Sequence, residues 1–95
     1  METQAKRFFV SGRVQGVGFR FFAERTATRL GVSGFVRNLF DGRVEVYAVG
    51  SAEQIAAMKE ALARGPRMAE VYRVDEQDAE ILREFANVFS IEREE

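Results

Sequence analysis

A stretch of helical period caught between two stretches of strand period constrains this 95-residue chain more than any other feature. Lys6 to Val14 opens on Phe8-Phe9-Val10 and reads as a strand. Over Arg20 to Leu30, Phe19, Ala23, Ala27 and Leu30 recur on one helical face, while Glu24, Arg25, Thr28 and Arg29 fall on the other. Ser33 to Phe40 reads as a strand again. Such a helix advances the chain by roughly 16 Å, at about 1.5 Å per residue. The strand after it returns a comparable distance, at about 3.3 Å per residue. The two strands are therefore expected to be parallel, with the end of the second at the edge where the glycine turn after the first sits.

The remaining pattern completes an architecture. Asp41-Gly42 reads as a hairpin turn of type I′, in which both central residues take positive φ. Arg43 to Val49 alternates, with Val44, Val46 and Ala48 on one face and Arg43, Glu45 and Tyr47 exposed on the other. Ser51 and Gln54 form a capping box for a second helix with a stripe of Ile55, Met58 and Leu62, ended by Gly65-Pro66. Met68 to Val74 reads as a fourth strand. Asp75 to Asn87 reads as charged and irregular, with a helical turn around Ile81 to Phe85, and Val88 to Ile91 as a short last strand. The order β-α-β-β-α-β with an extra edge strand predicts an α+β sandwich of ferredoxin-like type: an antiparallel sheet of four to five strands with two helices on one face. The expected organisation is one domain over 1–95, with 1–5 a flexible N-terminal tail.

Composition narrows the chemistry. There is no cysteine and no histidine, so disulfides, thiolate catalysis and the commonest general base and metal ligand are excluded. Lys and Arg total 14 against 15 Asp and Glu, a net charge of −1 that gives no long-range attraction to nucleic acid or an anionic membrane. No apolar run approaches 18 residues and no secretory h-region follows Met1, so the expected address is the cytoplasm. Nothing marks a subunit interface, which leaves a monomer. The acidic runs Asp75, Glu76, Asp78, Glu80 and Glu92, Glu94, Glu95 lack EF-hand spacing and read as solvated surface, so neither a metal nor another cofactor is expected.

One region suits a small tetrahedral dianion. Gln15-Gly16-Val17-Gly18-Phe19 can turn successive main-chain N–H groups inward as a nest, and the helix starting at Arg20 adds free N–H groups and the positive end of its dipole. Arg20 adds a planar fork matched to two phosphate oxygens. Asn38, at the returning strand end, can accept a hydrogen bond from water and donate one to a phosphate oxygen. Singly, each piece has a plainer reading: a turn, a solvated arginine, a turn-flanking asparagine. The glycine loop also lacks the third glycine of a dinucleotide fingerprint and the Lys-Ser/Thr of a nucleotide-binding loop.

Joined, the pieces are more specific. Gly12-Arg-Val-Gln-Gly-Val-Gly-Phe-Arg20 resembles the signature of the acylphosphatase family, and Gly34-Phe-Val-Arg-Asn38-Leu-Phe-Asp-Gly42-Arg-Val-Glu-Val46 resembles that family's second signature. The resemblance continues through Gly65-Pro66, Ala69-x-Val71 and Phe89-x-Ile91. It implies a ferredoxin-like fold and hydrolysis of the carboxyl–phosphate bond of acyl phosphates to carboxylate and inorganic phosphate. It implies Arg20 as the phosphate-binding arginine, Asn38 as the residue that positions water, and Gln15 to Arg20 (Gln15, Gly16, Val17, Gly18, Phe19, Arg20) as the phosphate-cradling loop. Phe40 departs from the pattern, standing where proline or a polar residue is common, and Asp75 to Asn87 is longer and more acidic than usual. Two other readings compete. An RNA-binding module shares this topology but needs exposed aromatics on the central strands and a basic face. A binding domain that keeps the fold without turnover is the other, and retention of Arg20 and Asn38 speaks against it.

Overall fold

The computed structural model describes residues 2–95. In chain order the elements are β1 (Gln4–Arg13), α1 (Phe19–Leu30), β2 (Ser33–Asn38), β3 (Val44–Gly50), α2 (Ala52–Arg64), β4 (Glu70–Asp78), a 3₁₀ turn (Arg83–Phe85) and β5 (Phe89–Ile91). The strands form one sheet in the order β4-β1-β3-β2-β5. β3 runs antiparallel to both β1 and β2, so β1 and β2 are parallel across it, as the crossover geometry requires. β5 departs from the antiparallel expectation. It pairs parallel to β2, Gly34 opposite Phe89 and Val36 opposite Ile91, which makes the sheet mixed. β4 already ends at the end of the sheet where β1 and β2 begin, with Asp78 opposite Lys6; the irregular stretch crosses the sheet at that end to Val88, whose carbonyl accepts from Gly34 N–H, so β5 starts beside the start of β2 and runs the same way.

Both helices pack on one face of the sheet. Phe19, Ala23 and Ala27 of α1 and Ile55, Met58 and Leu62 of α2 meet Phe8, Val10, Val36, Val44, Val46 and Ala48 in one buried cluster. The sheet residues are alternate positions of their strands, and the helix residues follow the 3.6-residue stripe. α2 begins on the capping box: Gln54 N–H donates to Ser51 Oγ at 3.1 Å and Ser51 N–H donates to Gln54 Oε1 at 2.8 Å.

The other sheet face corrects the expectation that Glu45 and Tyr47 are exposed. Tyr47 is fully buried and Glu45 is 3% exposed. Leu82 and Phe85 lie over this face and pack with Ala5, Phe35 and Tyr47. The Phe85 ring sits 4.9 Å from Phe35 and 5.9 Å from Tyr47. The Tyr47 hydroxyl donates to the Glu80 carbonyl and accepts from Leu82 N–H at 2.7 Å, pinning the covering segment. The buried Glu45 carboxylate accepts from Arg7 and, at 2.8 Å, from Arg37 Nε. Tyr47→Phe is expected to lower stability by about 1–2 kcal/mol, because both bonds go while the ring still packs. A urea midpoint equal to that of the parent would contradict this anchoring role.

Boundaries moved for identifiable reasons. β1 begins inside the segment read as a tail: Gln4 and Ala5 pair with Gly50 and Val49. Met1 lies outside the described residues. β4 continues through Asp78, into the stretch read as irregular, because β1 supplies partners up to Lys6 opposite Asp78. Glu76 sits there between Lys59 Nζ at 2.7 Å and Lys6 Nζ at 3.2 Å. The hydrogen bond from Lys59, then that from Lys6, holds its carboxyl below the usual carboxylate range. A depressed carboxyl pKa stabilises the fold above the unfolded-state pKa, and that contribution is lost as pH falls through the lower, folded value. Glu76→Gln should therefore flatten the loss of stability below about pH 4.5. Parallel acid-unfolding curves for variant and parent would refute this.

The β2–β3 connection is also not a type I′ turn. Neither Phe40 nor Asp41 has positive φ; Gly42 does, at 98°. Leu39 N–H donates to the Arg43 carbonyl at 2.8 Å and Gly42 N–H to the Leu39 carbonyl at 3.1 Å, closing Phe40 to Gly42 as a loop with a left-handed glycine at its end.

Candidate active site

Val14 to Gly18 carry the chain from β1 into α1. Gly16 and Gly18 have φ of 74° and 79°, in the left-handed region that costs other residues energy. A Cβ on either would meet nothing within 4 Å, so backbone angle and not crowding calls for glycine. Two side chains anchor the loop: Val17 packs against the core and Phe19 is inside it. Gly18 caps α1 without a side-chain hydrogen bond, and no acidic residue stands in the first turn. The first intrahelical bond is Phe22 N–H to the Gly18 carbonyl, 3.1 Å. The N–H groups of Phe19, Arg20 and Phe21 precede it and have no acceptor within the helix. The positive end of the helix dipole thus has no carboxylate of its own.

Asn38 reaches the same place from the sheet. It is the last residue of β2 and pairs with Val44, which pairs on its other side with Val10 of β1. Asn38 shares its strand face with Val36, which is buried beneath the helices, so it points to the side where α1 begins. Arg37, one position earlier, points to the opposite face and pairs with Glu45. A cavity of about 120 Å³ lies between loop, helix start and strand end. Arg20 and Asn38 line it with Val14, Gly16, Gly18, Phe19 and Phe21. Arg20 is the only charged residue in that lining, and among the described residues no carboxylate lies within 4.0 Å of its nitrogens. A larger depression, about 260 Å³, lies at the far end of α1 beside Thr28, Ser33 and Asn87, and no charged residue lines it.

Of the residues expected in the phosphate loop, Gly16, Gly18, Phe19 and Arg20 line the cavity, whereas Val17 faces the core. Gln15 does something the sequence reading did not foresee. Its Nε2 donates to the Leu39 carbonyl at 2.8 Å and to the Arg43 carbonyl at 2.9 Å. The glycine loop is thereby tied to the hairpin that follows Asn38. The reading also missed Val14 and Phe21 in the lining; a helix that starts at the cavity must present its next residue nearby, and that signal was in the spacing. Gln15→Ala should lower kcat by roughly 10-fold, since small misplacements of reacting groups are costly. An unchanged kcat in the folded variant would show that the tie is irrelevant to turnover.

The acylphosphatase family profile matches residues 6–91. An acylphosphatase of Solibacter usitatus is 52% identical over 79 residues, covering 83% of this chain and 82% of the relative. One from Pasteurella multocida is 52% identical over 86 residues, 90% of this chain and 94% of the relative. The crystal structure of acylphosphatase from Bacillus subtilis superposes with a TM-score of 0.86 at 34% identity, covering 95% of this chain and 98% of the other. With the glycine loop, Arg20 and Asn38 gathered on one cavity and the match running nearly end to end, the chain belongs to the acylphosphatase family of hydrolases.

Proposed function

We propose that the chain hydrolyses acyl phosphates to carboxylate and inorganic phosphate in the cavity between α1 and β2, with Arg20 and the main-chain N–H groups of Gln15 to Arg20 holding the phosphoryl group and Asn38 orienting water. The observation that carries this reading is that Arg20 and Asn38, far apart in sequence and on different elements, line one small cavity whose single charge is positive. A guanidinium and a helix start aimed at one point bind a dianion and stabilise the charge spread over its oxygens in the transition state. The Asn38 carboxamide can accept from a water and donate to a phosphoryl oxygen at once.

The leaving group explains why so few residues suffice. A carboxylate is stable as an anion, so its departure needs no general acid. The water oxygen bonds to phosphorus, the bond from phosphorus to the acyl oxygen breaks, and the electron pair leaves with the carboxylate. No carboxylate lines the cavity and the chain has no histidine or cysteine, so a phosphoryl oxygen takes the water's proton. The protein acts as a cytoplasmic monomer on a small substrate, without a cofactor. Against nucleic-acid binding stands the covered second sheet face: Phe35 and Tyr47, which an RNA-binding sheet would display, lie beneath Phe85.

Purified protein should release inorganic phosphate and carboxylate in equal amounts from acetyl phosphate, at a rate within about twofold of control in the presence of EDTA, since Arg20 and amides supply the charge a metal otherwise would. Absence of turnover would overturn the hydrolase reading. Loss of turnover on chelation would overturn the metal-free form of it.

A further inference from the structure

We infer that Arg37 is a positioning residue for hydrolysis: with Glu45 and Arg7 it forms a charged clamp on the back of the sheet that sets Asn38 at its working distance from the glycine loop. The inference rests on the hydrolase reading and deepens it, giving a role to a buried carboxylate that the proposed chemistry leaves unused.

The two halves of the cavity hang on different strands. The glycine loop and Arg20 follow β1, whereas Asn38 ends β2. β1 and β2 are not neighbours, because β3 lies between them. The spacing of the halves therefore depends on how firmly β3 holds the strand on each side. Glu45 stands on β3 opposite Phe9 of β1 and Arg37 of β2. Its Oε1 accepts from Arg37 Nε at 2.8 Å, and its Oε2 accepts from Arg7 Nη1. One carboxylate thus ties all three strands together.

Two observations give this clamp a role beyond holding the sheet. A buried ion pair is a poor source of net stability, because desolvation offsets much of the attraction and apolar residues of similar volume often do as well. What charge-assisted hydrogen bonds add is direction and fixed length. Here they lie against apolar rings, which keep water from loosening them: the Arg37 guanidinium is 5.0 Å from the Phe35 ring and that of Arg7 is 5.1 Å from Tyr47. The second observation is where the clamp ends. Arg37 immediately precedes Asn38, and its Nη1 also reaches Glu95 Oε2 at 3.3 Å. Glu95 N–H in turn donates to the Asn38 carbonyl at 3.1 Å. The main chain at Asn38 is held from β3 on one side and from the segment after β5 on the other. Adjacent strand residues point to opposite faces, so Arg37 has no contact with the cavity and can act on turnover only through Asn38.

The test is a double-mutant cycle on the full chain with acetyl phosphate: parent, Arg37→Met, Asn38→Ala and the pair, each with inhibition by inorganic phosphate and a urea midpoint. Arg37→Met should lower kcat by roughly 10-fold, since small misplacements of reacting groups are costly. Its phosphate inhibition constant should stay within about threefold of the parent's, because the phosphate site is on the other strand. With Asn38 already Ala, the same substitution should change kcat by less than about twofold, because effects that run through one group do not add. Glu45→Gln keeps the volume and weakens the clamp from its centre; it should show the same split and replaces Arg37→Met in the cycle should that variant not fold. An unchanged kcat in the single variants, a matching loss of phosphate binding, or a second full loss in the Asn38→Ala background would overturn the inference and leave the hydrolase reading standing. A parent that does not hydrolyse acetyl phosphate would overturn both.

Discussion

Arg20→Ala is expected to lower kcat/KM for acetyl phosphate by about 10³-fold or more, and Arg20→Lys by about 10²-fold. The physical reason is that the cavity has one charged residue. A preorganised donor aimed at developing charge is worth on the order of 10²–10³ in rate even when neutral, and Arg20 adds a full charge and a two-pronged geometry. Lysine keeps the charge and loses the fork. Neither substitution should unfold the protein. Arg20 is in the first turn of α1, makes no salt bridge among the described residues and lies outside the buried cluster formed by its neighbours Phe19 and Ala23. Steady-state kinetics with a denaturation midpoint separates the cases. A lysine variant that turns over like the parent would remove the bidentate contact from the account.

Asn38→Ala is expected to divide the kinetic constants unevenly. In the proposed reaction the carboxamide orients the attacking water, so its removal should lower kcat by about 10²-fold or more. The same proposal rests binding of inorganic phosphate on Arg20 and the loop amides, so its inhibition constant should stay within about threefold of the parent's. That split marks an interaction made chiefly in the transition state. Asn38 can be changed without disturbing its strand, because the main chain does the local work: its carbonyl accepts from Glu95 N–H at 3.1 Å and its backbone pairs with Val44. Equal losses in kcat and in phosphate binding would make Asn38 a phosphate ligand and would leave water positioning unsupported.

Much of this arrangement was legible in the sequence because it is local. Helical spacing from Phe19 to Leu30 and the strand lengths on either side suffice to make β1 and β2 parallel and to bring the end of β2 to the glycine turn. The capping box and the Ile55, Met58, Leu62 stripe are written within α2 itself. The rest depends on partners distant in the chain. Alternation in β3 separates Val46 from Tyr47, but cannot say that Leu82 and Phe85 return to cover Tyr47. The acidic end of β4 resembles loop until Lys6 and Lys59 are placed beside Glu76. Asp41-Gly42 carries a hairpin signal, yet turn type depends on how Leu39 and Arg43 close around it, so Gly42 alone takes positive φ. At the site, Gln15 reads as one more loop residue because its acceptors lie across the hairpin.

The fate of the solvent oxygen tests the proposed chemistry most directly. In water enriched in oxygen-18, single-turnover hydrolysis of acetyl phosphate should place the label in inorganic phosphate and leave the acetate unlabelled, because the proposed reaction aims water at Asn38 toward phosphorus held by Arg20. Label in the acetate would mean attack at the carbonyl carbon and would contradict the proposed reaction.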